Sequence, residues 1–513
     1  MPDTPKEAGG LLPGSLSSSA EARRVLIYFA FILAGCLLSL TGGFAGITPF
    51  GVRLLFLFFA VIYGWSVTMD PWPSWAALVL MPLLDGVFHG VTVVETAPGG
   101  VVDIITYGNL LLGGWGSDTG LFMVMIFIII AFFELTGLPK FIASWTLSRK
   151  ILQGRPLLFL FALYFTSYIL CAMINIFVGV LMLYRIIQSI STALGYERGD
   201  KFPTIAMFGV GMTGALGLSA FPWSFNSLVL IGFFNNMLGY QMDMLKFISF
   251  SVPYATLAIV LYLLVAKFVL RLDTDRLKNL DPDFIKAEDR KAALPTKIAL
   301  WTLLAVVAIL LLPSFLPKTA VLYMILNGMG NAGRLIVVFT VLVLLNIGGV
   351  KLFNFQELAM KINWGAAAVC FIVIPLGSFL VNPATGISQA LATTIMPLLN
   401  GLPPFAFIAA ITFFVVVITN CLANMPVCMM FAPIGLQAAA MYGFANEQIA
   451  FLLIVSCTIA WMLPSASPAG IVLYAFSDGY LKVRDILKMG LIGIVICFAA
   501  LMIVFFTIGN ALF

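Results

Sequence analysis

From Trp364 to Asn446 the chain carries no Asp, Glu, Lys, Arg or His. One crossing of a bilayer takes roughly 20 predominantly apolar residues, so this stretch has room for three or four segments at membrane depth. Further charge-free stretches run from Val25 to Gly51, Pro156 to Tyr184, Phe202 to Met242, Phe247 to Ala266, Ile298 to Pro317, Gln448 to Ser477 and Met489 to Phe513. With 62% hydrophobic and 10% charged residues, the composition lies far from that of soluble globular domains. The expected fold class is an all-α polytopic membrane protein of about a dozen segments, some of which do not cross fully.

Residues 1–23 are rich in Pro, Gly and Ser and carry mixed charges (Asp3, Lys6, Glu7). They read as a disordered cytoplasmic tail rather than a signal peptide, which needs a basic segment directly before a short apolar core. Arg23 and Arg24 precede the first apolar run and place the N-terminus in the cytoplasm of a multi-pass protein of the cell (inner or plasma) membrane. The net charge of +5 then belongs to cytoplasmic loops, and nucleic acid is not an expected partner. Seven cysteines all lie in apolar segments with no C-x-x-C pair, where free Cys packs as a small hydrophobe. His89 is the single histidine, which argues against a protein-ligated zinc. No Walker loop and no His-Glu-x-x-His is present. An enzyme is not expected.

The polar stretch from Arg271 to Lys297 lies near the middle and reads as a cytoplasmic connector at 271–297, between a first repeat at 24–270 and a second at 298–513. The two parts echo each other in register. Thr136-Gly137-Leu138 returns as Thr385-Gly386-Ile387 and Asn175 as Asn424, both at an offset of 249. Ser219-Ala220-Phe221-Pro222 returns as Ser465-Ala466-Ser467-Pro468 at 246, and Asp243-Met244-Leu245-Lys246 as Asp485-Ile486-Leu487-Lys488 at 242. Transporters are often built from two such halves, with the substrate site where broken helices of both meet. Asn382-Pro383-Ala384-Thr385-Gly386 is turn chemistry in an uncharged run and reads as a re-entrant hairpin. Pro222, Pro464 and Pro468 remove helix donors beside Ser and Asn side chains.

Asn175 and Asn424 are the leading binding candidates. A buried amide in lipid has to find partners, and two related ones suit a carboxylate or a small cation; interhelical hydrogen bonding is the competing role. Ser219, Ser224 and Asn226 in the first half, with Ser465, Ser467 and Gly470 in the second, sit where half-helix N-termini favour an anion. Back-bonding to its own helix competes for any one serine. Thr136 and Thr385 complete the set of substrate- or ion-binding candidates. Glu134 could relay a proton or hold a cation, or lie at the interface near Lys140. Arg185 and Arg334 read as residues flanking the membrane, with snorkelling side chains. Asp478 reads as a loop entry.

With these positions in view, the chain resembles the divalent anion/sodium symporter family, which includes the INDY-type citrate and dicarboxylate carriers. The resemblance rests on Met462-Leu463-Pro464-Ser465-Ala466-Ser467-Pro468, Gly479-Tyr480-Leu481-Lys482 and Asp485-Ile486-Leu487-Lys488-Met489-Gly490. Glu134-Leu135-Thr136-Gly137-Leu138 and Ile362-Asn363-Trp364-Gly365 look like that family's two hairpin regions. It implies two inverted repeats with re-entrant hairpins and broken helices, an elevator-type transport movement and a homodimer in the lipid bilayer. It also implies a small organic anion, dicarboxylate-like or related, as substrate. Where that family has Ser-Asn-Thr at each hairpin tip, this chain reads Ile174-Asn175-Ile176 and Ala423-Asn424-Met425. Hydroxyl oxygens are hard ligands suited to sodium. The expectation is therefore a cation-coupled transporter with altered sodium sites, sodium at Asn175 and Asn424 being the one cofactor to consider. Ile176 and Met425 point to a substrate less polar than citrate, or one with a single strongly anionic group. An uncoupled anion exchanger, a proton-coupled permease of the wider superfamily and a transport-inactive membrane scaffold stand as alternatives.

Overall fold

The computed structural model describes residues 19–43, 46–68, 72–89, 93–95, 102–104, 114, 116–272, 274–279, 292–347, 350–351, 355–362, 364, 367–368, 371–372, 375–376, 385–387, 389–390, 393, 401–463 and 466–513. These residues are helical apart from turns and two small antiparallel pairs, Val93–Glu95 with Val102–Ile104 and Asn346–Ile347 with Val350–Lys351. Among them, eight helices are long and apolar enough to span a membrane, and a bent pair makes a ninth. The multi-pass expectation holds. Ser465 and the turn 382–384 lie outside the described residues, as do 1–18 of the expected tail and 280–291 of the connector.

The first part of the chain opens with α1 (Ser19–Ser39), α2 (Pro49–Thr68) and α3 (Trp72–His89). Next come α4 (Asp118–Leu135), the short α5 (Leu138–Leu147), α6 (Pro156–Met173), α7 (Ile176–Ala193), α8 (Lys201–Gly217), α9 (Phe225–Leu238) and α10 (Met244–Phe268). After the connector follow α11 (Leu294–Phe315), α12 (Val321–Gly328), α13 (Gly330–Leu344), α14 (Phe355–Met360) and α15 (Pro404–Thr419). Four more close the chain: α16 (Asn424–Tyr442), α17 (Asn446–Ser456), α18 (Pro468–Ala475) and α19 (Val483–Val504).

The helix order repeats. The starts of α6 to α10 lie 248, 248, 245, 243 and 239 residues before those of α15 to α19. The packing is reciprocal too: α9 lies on α16 and α17, α18 lies on α7 and α8, and α10 packs against α19. The Thr-Gly elements match in detail. Gly137 and Gly386 both adopt left-handed backbone, at φ 70° and 68°, a conformation that costs a side-chain-bearing residue free energy. The carbonyl of Thr136 accepts from Thr296 Oγ1 (2.7 Å) in the first turn of α11, and that of Thr385 accepts from Thr48 Oγ1 (3.2 Å) just before α2.

The Thr136-Gly137 element is the corner where a span, α4, turns into α5. The resemblance reads it as part of a hairpin region, and the structure makes it this corner instead. Gly137 is the left-handed residue that precedes α5, and Pro139 opens the new helix because its missing N–H would have had no intrahelical partner there.

Arg334 is a second correction. It is 5% exposed and does not snorkel. Between α12 and α13 the chain bends by 93° at Met329, which leaves carbonyls at the end of α12 without intrahelical donors. The guanidinium supplies one: Nε donates to Leu326 O (2.9 Å) and Nη1 to Asn331 Oδ1 (3.0 Å). On the other side of the bend, Asp118 accepts from Asn331 N (3.1 Å) and Ala332 N (3.0 Å). This carboxylate thus caps α13 while standing in the first turn of α4, behind the N-cap Ser117. A Cβ on Gly330 would lie 2.3 Å from Asp118 Oδ1. Asp118→Ala is expected to cost about 1–2 kcal/mol and Asp118→Asn much less, since both Asp and Asn cap well. Thermal unfolding in detergent checks this, and equal melting of D118A and wild type would contradict it.

Candidate functional site

Two helix–break–helix pairs and two interrupted helices converge in the interior. The first pair breaks at Ile174 and Asn175, between α6 and α7. Asn175 is extended (φ −154°, ψ 138°), and its Oδ1 caps α7 by accepting from Phe177 N at 2.8 Å. The second pair breaks between Thr419 and Asn424. Facing these are non-helical segments between α8 and α9 and between α17 and α18, so each half contributes one break of each kind.

Asn424 begins α16 and is 5% exposed. Its amide orientation follows from its neighbours: Oδ1 accepts from Asn226 Nδ2 (3.1 Å), while Nδ2 donates to Ala466 O (3.1 Å) and Cys457 O (3.3 Å). Two candidates that are far apart in sequence, one from each half, are therefore directly bonded. Asn420 ties the same break to the neighbouring segment. Its Nδ2 donates to Val416 O (2.8 Å) and Ile459 O (2.7 Å), and its Oδ1 accepts from Trp461 N (3.0 Å) and Met462 N (2.9 Å). Thr419 Oγ1 donates to Cys457 O at 2.7 Å.

The candidate serines serve the breaks. Ser224, the N-cap of α9, accepts from Phe221 N (3.0 Å) and donates to Ala172 O (2.9 Å), which links the interrupted helix to the end of α6. Ser467, the N-cap of α18, accepts from Gly470 N (3.3 Å) and donates to Ala460 O (2.5 Å). Ser219 Oγ donates across the halves to Ile454 O at 3.2 Å. Each of these hydroxyl protons is committed to a backbone carbonyl. Thr136 Oγ1 bonds back to Phe132 O (2.9 Å), and Thr385 Oγ1 accepts from Ile387 N (3.3 Å). Thr136 stands at the α4 corner and Thr385 at its counterpart.

Beside Asn175 lies a cavity of about 240 Å³. Its walls are mainly apolar, including Phe127, Ile174, Ile176, Leu218, Phe225 and Pro468. Asn175, Glu134 and Lys361 are the strongly polar side chains that line it. Mostly apolar walls with a few placed polar groups are the usual make-up of a small-molecule site. Sequence reading missed Lys361, Asn420 and Thr419. Lys361 is the last charge before the long uncharged stretch, and Asn420 stands four residues before Asn424; both facts were available as signals. Among the described residues no group of three or more His, Cys, Asp or Glu side chains could hold a metal ion.

Spans enclosing two breaks of each kind around a partly polar cavity define a multi-pass membrane transporter. The chain belongs to the citrate transporter family: the family model described as citrate transporter, CitMHS, matches residues 29–459. Membership of a transporter family also means that the chain is not an enzyme. It is similar to the Na(+)/citrate cotransporter of Rattus norvegicus, 27% identical over 166 residues, which are 32% of this chain and 27% of that protein. The match thus spans about a quarter of that relative. The fold is similar to the crystal structure of the Alcanivorax borkumensis YdaH transporter, with a TM-score of 0.54 and 10% identity over 90% of this chain and 98% of that one. The family resemblance read from the sequence is borne out.

Proposed function

We propose that this chain is a secondary active transporter of a small organic anion, built as two inverted repeats that move the substrate by an elevator-like displacement within a homodimer. The observation that carries this reading is the cavity beside Asn175, whose mostly apolar walls hold one cationic side chain, Lys361, and one carboxylate, Glu134. In such surroundings a charge acts more strongly than in water. Lys361 is the anion-selecting group, Asn175 orients a carboxylate, and Ile176 favours an apolar substrate body. The cotransport of sodium and citrate named for the rat relative supports a carboxylate substrate and cation coupling. The hydroxyls of Ser224, Thr419 and Ser467 are engaged with carbonyls, so any sodium would be held mainly by amide and carbonyl oxygens near Asn175 and Asn424.

A melting panel of the purified protein with dicarboxylates, monocarboxylates, sulfonates and sulfate, each with and without sodium, tests this. A bound anion raises the melting temperature by mass action, and a flat panel would overturn the reading in favour of a non-transporting scaffold. Uptake into liposomes with sodium replaced by potassium or choline, with and without a pH gradient, separates sodium coupling from proton coupling and from exchange. Lys361→Ala is expected to raise KM about tenfold to a hundredfold, the range of one charge-assisted hydrogen bond, with melting of the unliganded protein unchanged. An unaltered KM would remove Lys361 from the site.

A further inference from the structure

We propose that α5 and the turn that follows it form a binding arm for anionic phospholipid headgroups. Since α4 is long enough to span, the corner at Thr136, where it turns into α5, lies at one membrane face. Thr296 Oγ1 bonds Thr136 O there, so this is the face on which the connector ends. One side of α5 packs on α4, α6, α7 and α11. The other side presents Trp145, and the turn that follows presents Arg149, Lys150, Ile151 and Arg155, all exposed.

The pattern of charge selects the ligand. No Asp or Glu occurs between Glu134 and Glu197. The helices packed against α5 carry carboxylates only at Asp118, at the far end of α4, and at Glu134, which lines the cavity. Arg149, Lys150 and Arg155 therefore follow α5 with no acid beside them in the sequence, as in segments that attract an anionic leaflet. Among them, Trp145 and Ile151 are 49% and 63% exposed. A soluble anionic partner would leave those side chains in water, whereas the boundary between headgroups and acyl chains accommodates both them and the cations. Arg149 stacks on the Trp145 ring at 3.4 Å from its centroid, which holds its guanidinium at the level of the indole, where lipid phosphates lie. Because α5 joins α4 to the first helix–break–helix pair, bound lipid would set the depth of that arm in the leaflet.

Native mass spectrometry of the purified full-length protein, with phosphatidylglycerol or phosphatidylcholine added in turn, tests this without reference to transport. Wild type is expected to retain phosphatidylglycerol preferentially. The variant R149Q/K150Q/R155Q should lose that preference by roughly two orders of magnitude, about fivefold per charge. R149K/R155K, which keeps the charges, should retain it. Gel filtration and melting report whether the variants are folded. Equal retention of both lipids by wild type, or undiminished preference in the folded triple variant, overturns the proposal. So does displacement of the lipid by inorganic phosphate at constant ionic strength.

Discussion

Asn424→Ala is expected to abolish uptake and to lower the melting temperature, while the protein still elutes as a single folded species. Asn424 is buried, and its amide serves Asn226 from the other half together with the carbonyls of Ala466 and Cys457. Truncation leaves those groups without a partner in an apolar interior, at about 1–3 kcal/mol for each one that stays unsatisfied. It also releases the contact by which the two halves fix their relative placement at the breaks. Asn175→Ala should separate the two effects. The Asn175 side chain accepts one hydrogen bond, from Phe177 N, and lines the cavity. Its removal should therefore cost about 1 kcal/mol as a lost cap yet still eliminate uptake. A double-mutant cycle of N226A and N424A should give a coupling energy of about 0.5–3 kcal/mol. Wild-type uptake by folded N424A would take the asparagine pair out of the transport machinery.

Asn420→Ala is expected to have the largest effect on stability. The side chain makes four hydrogen bonds, two donated and two accepted, all between 2.7 and 3.0 Å. In the non-helical stretch before α18 the backbone has no helical partners, so Trp461 N, Met462 N and Ile459 O depend on this one amide. Losing it should cost about 3 kcal/mol or more, in the range of a broken buried network. Melting of the purified variant gives the magnitude, and amide hydrogen exchange gives the location: Trp461 and Met462 should exchange faster, with helices such as α4 unaffected. Unchanged melting would show that the segment holds itself without Asn420.

Several features were legible because a single local constraint produces them. A run such as Trp364–Asn446 has no way to fold except in an apolar medium or a large apolar core. Thr136-Gly137 and Thr385-Gly386 stood out as a pair because left-handed backbone favours glycine wherever the corner recurs. Asn175 and Asn424 stood out because an amide in an uncharged run needs a reason to be there. The partners of these groups were not legible. Nothing near Asn226 in the chain announces Asn424, and nothing near Lys361 announces Asn175 across the cavity. Arg334 has the local look of a flanking charge; its burial follows from the bend between α12 and α13, whose orphaned carbonyls it satisfies.

The apolar runs, the internal echo at offsets of 242–249 and the membrane-spanning helical class belong to the chain's own pattern, since bilayer thickness and backbone stereochemistry act on each segment separately. Which breaks face one another, that Asn226 meets Asn424, and that Glu134 and Lys361 line the same cavity as Asn175 were decided by packing. Hydrogen bonds and charges reach only a few ångströms, so they act between groups that the fold has already brought together, whatever their separation along the chain.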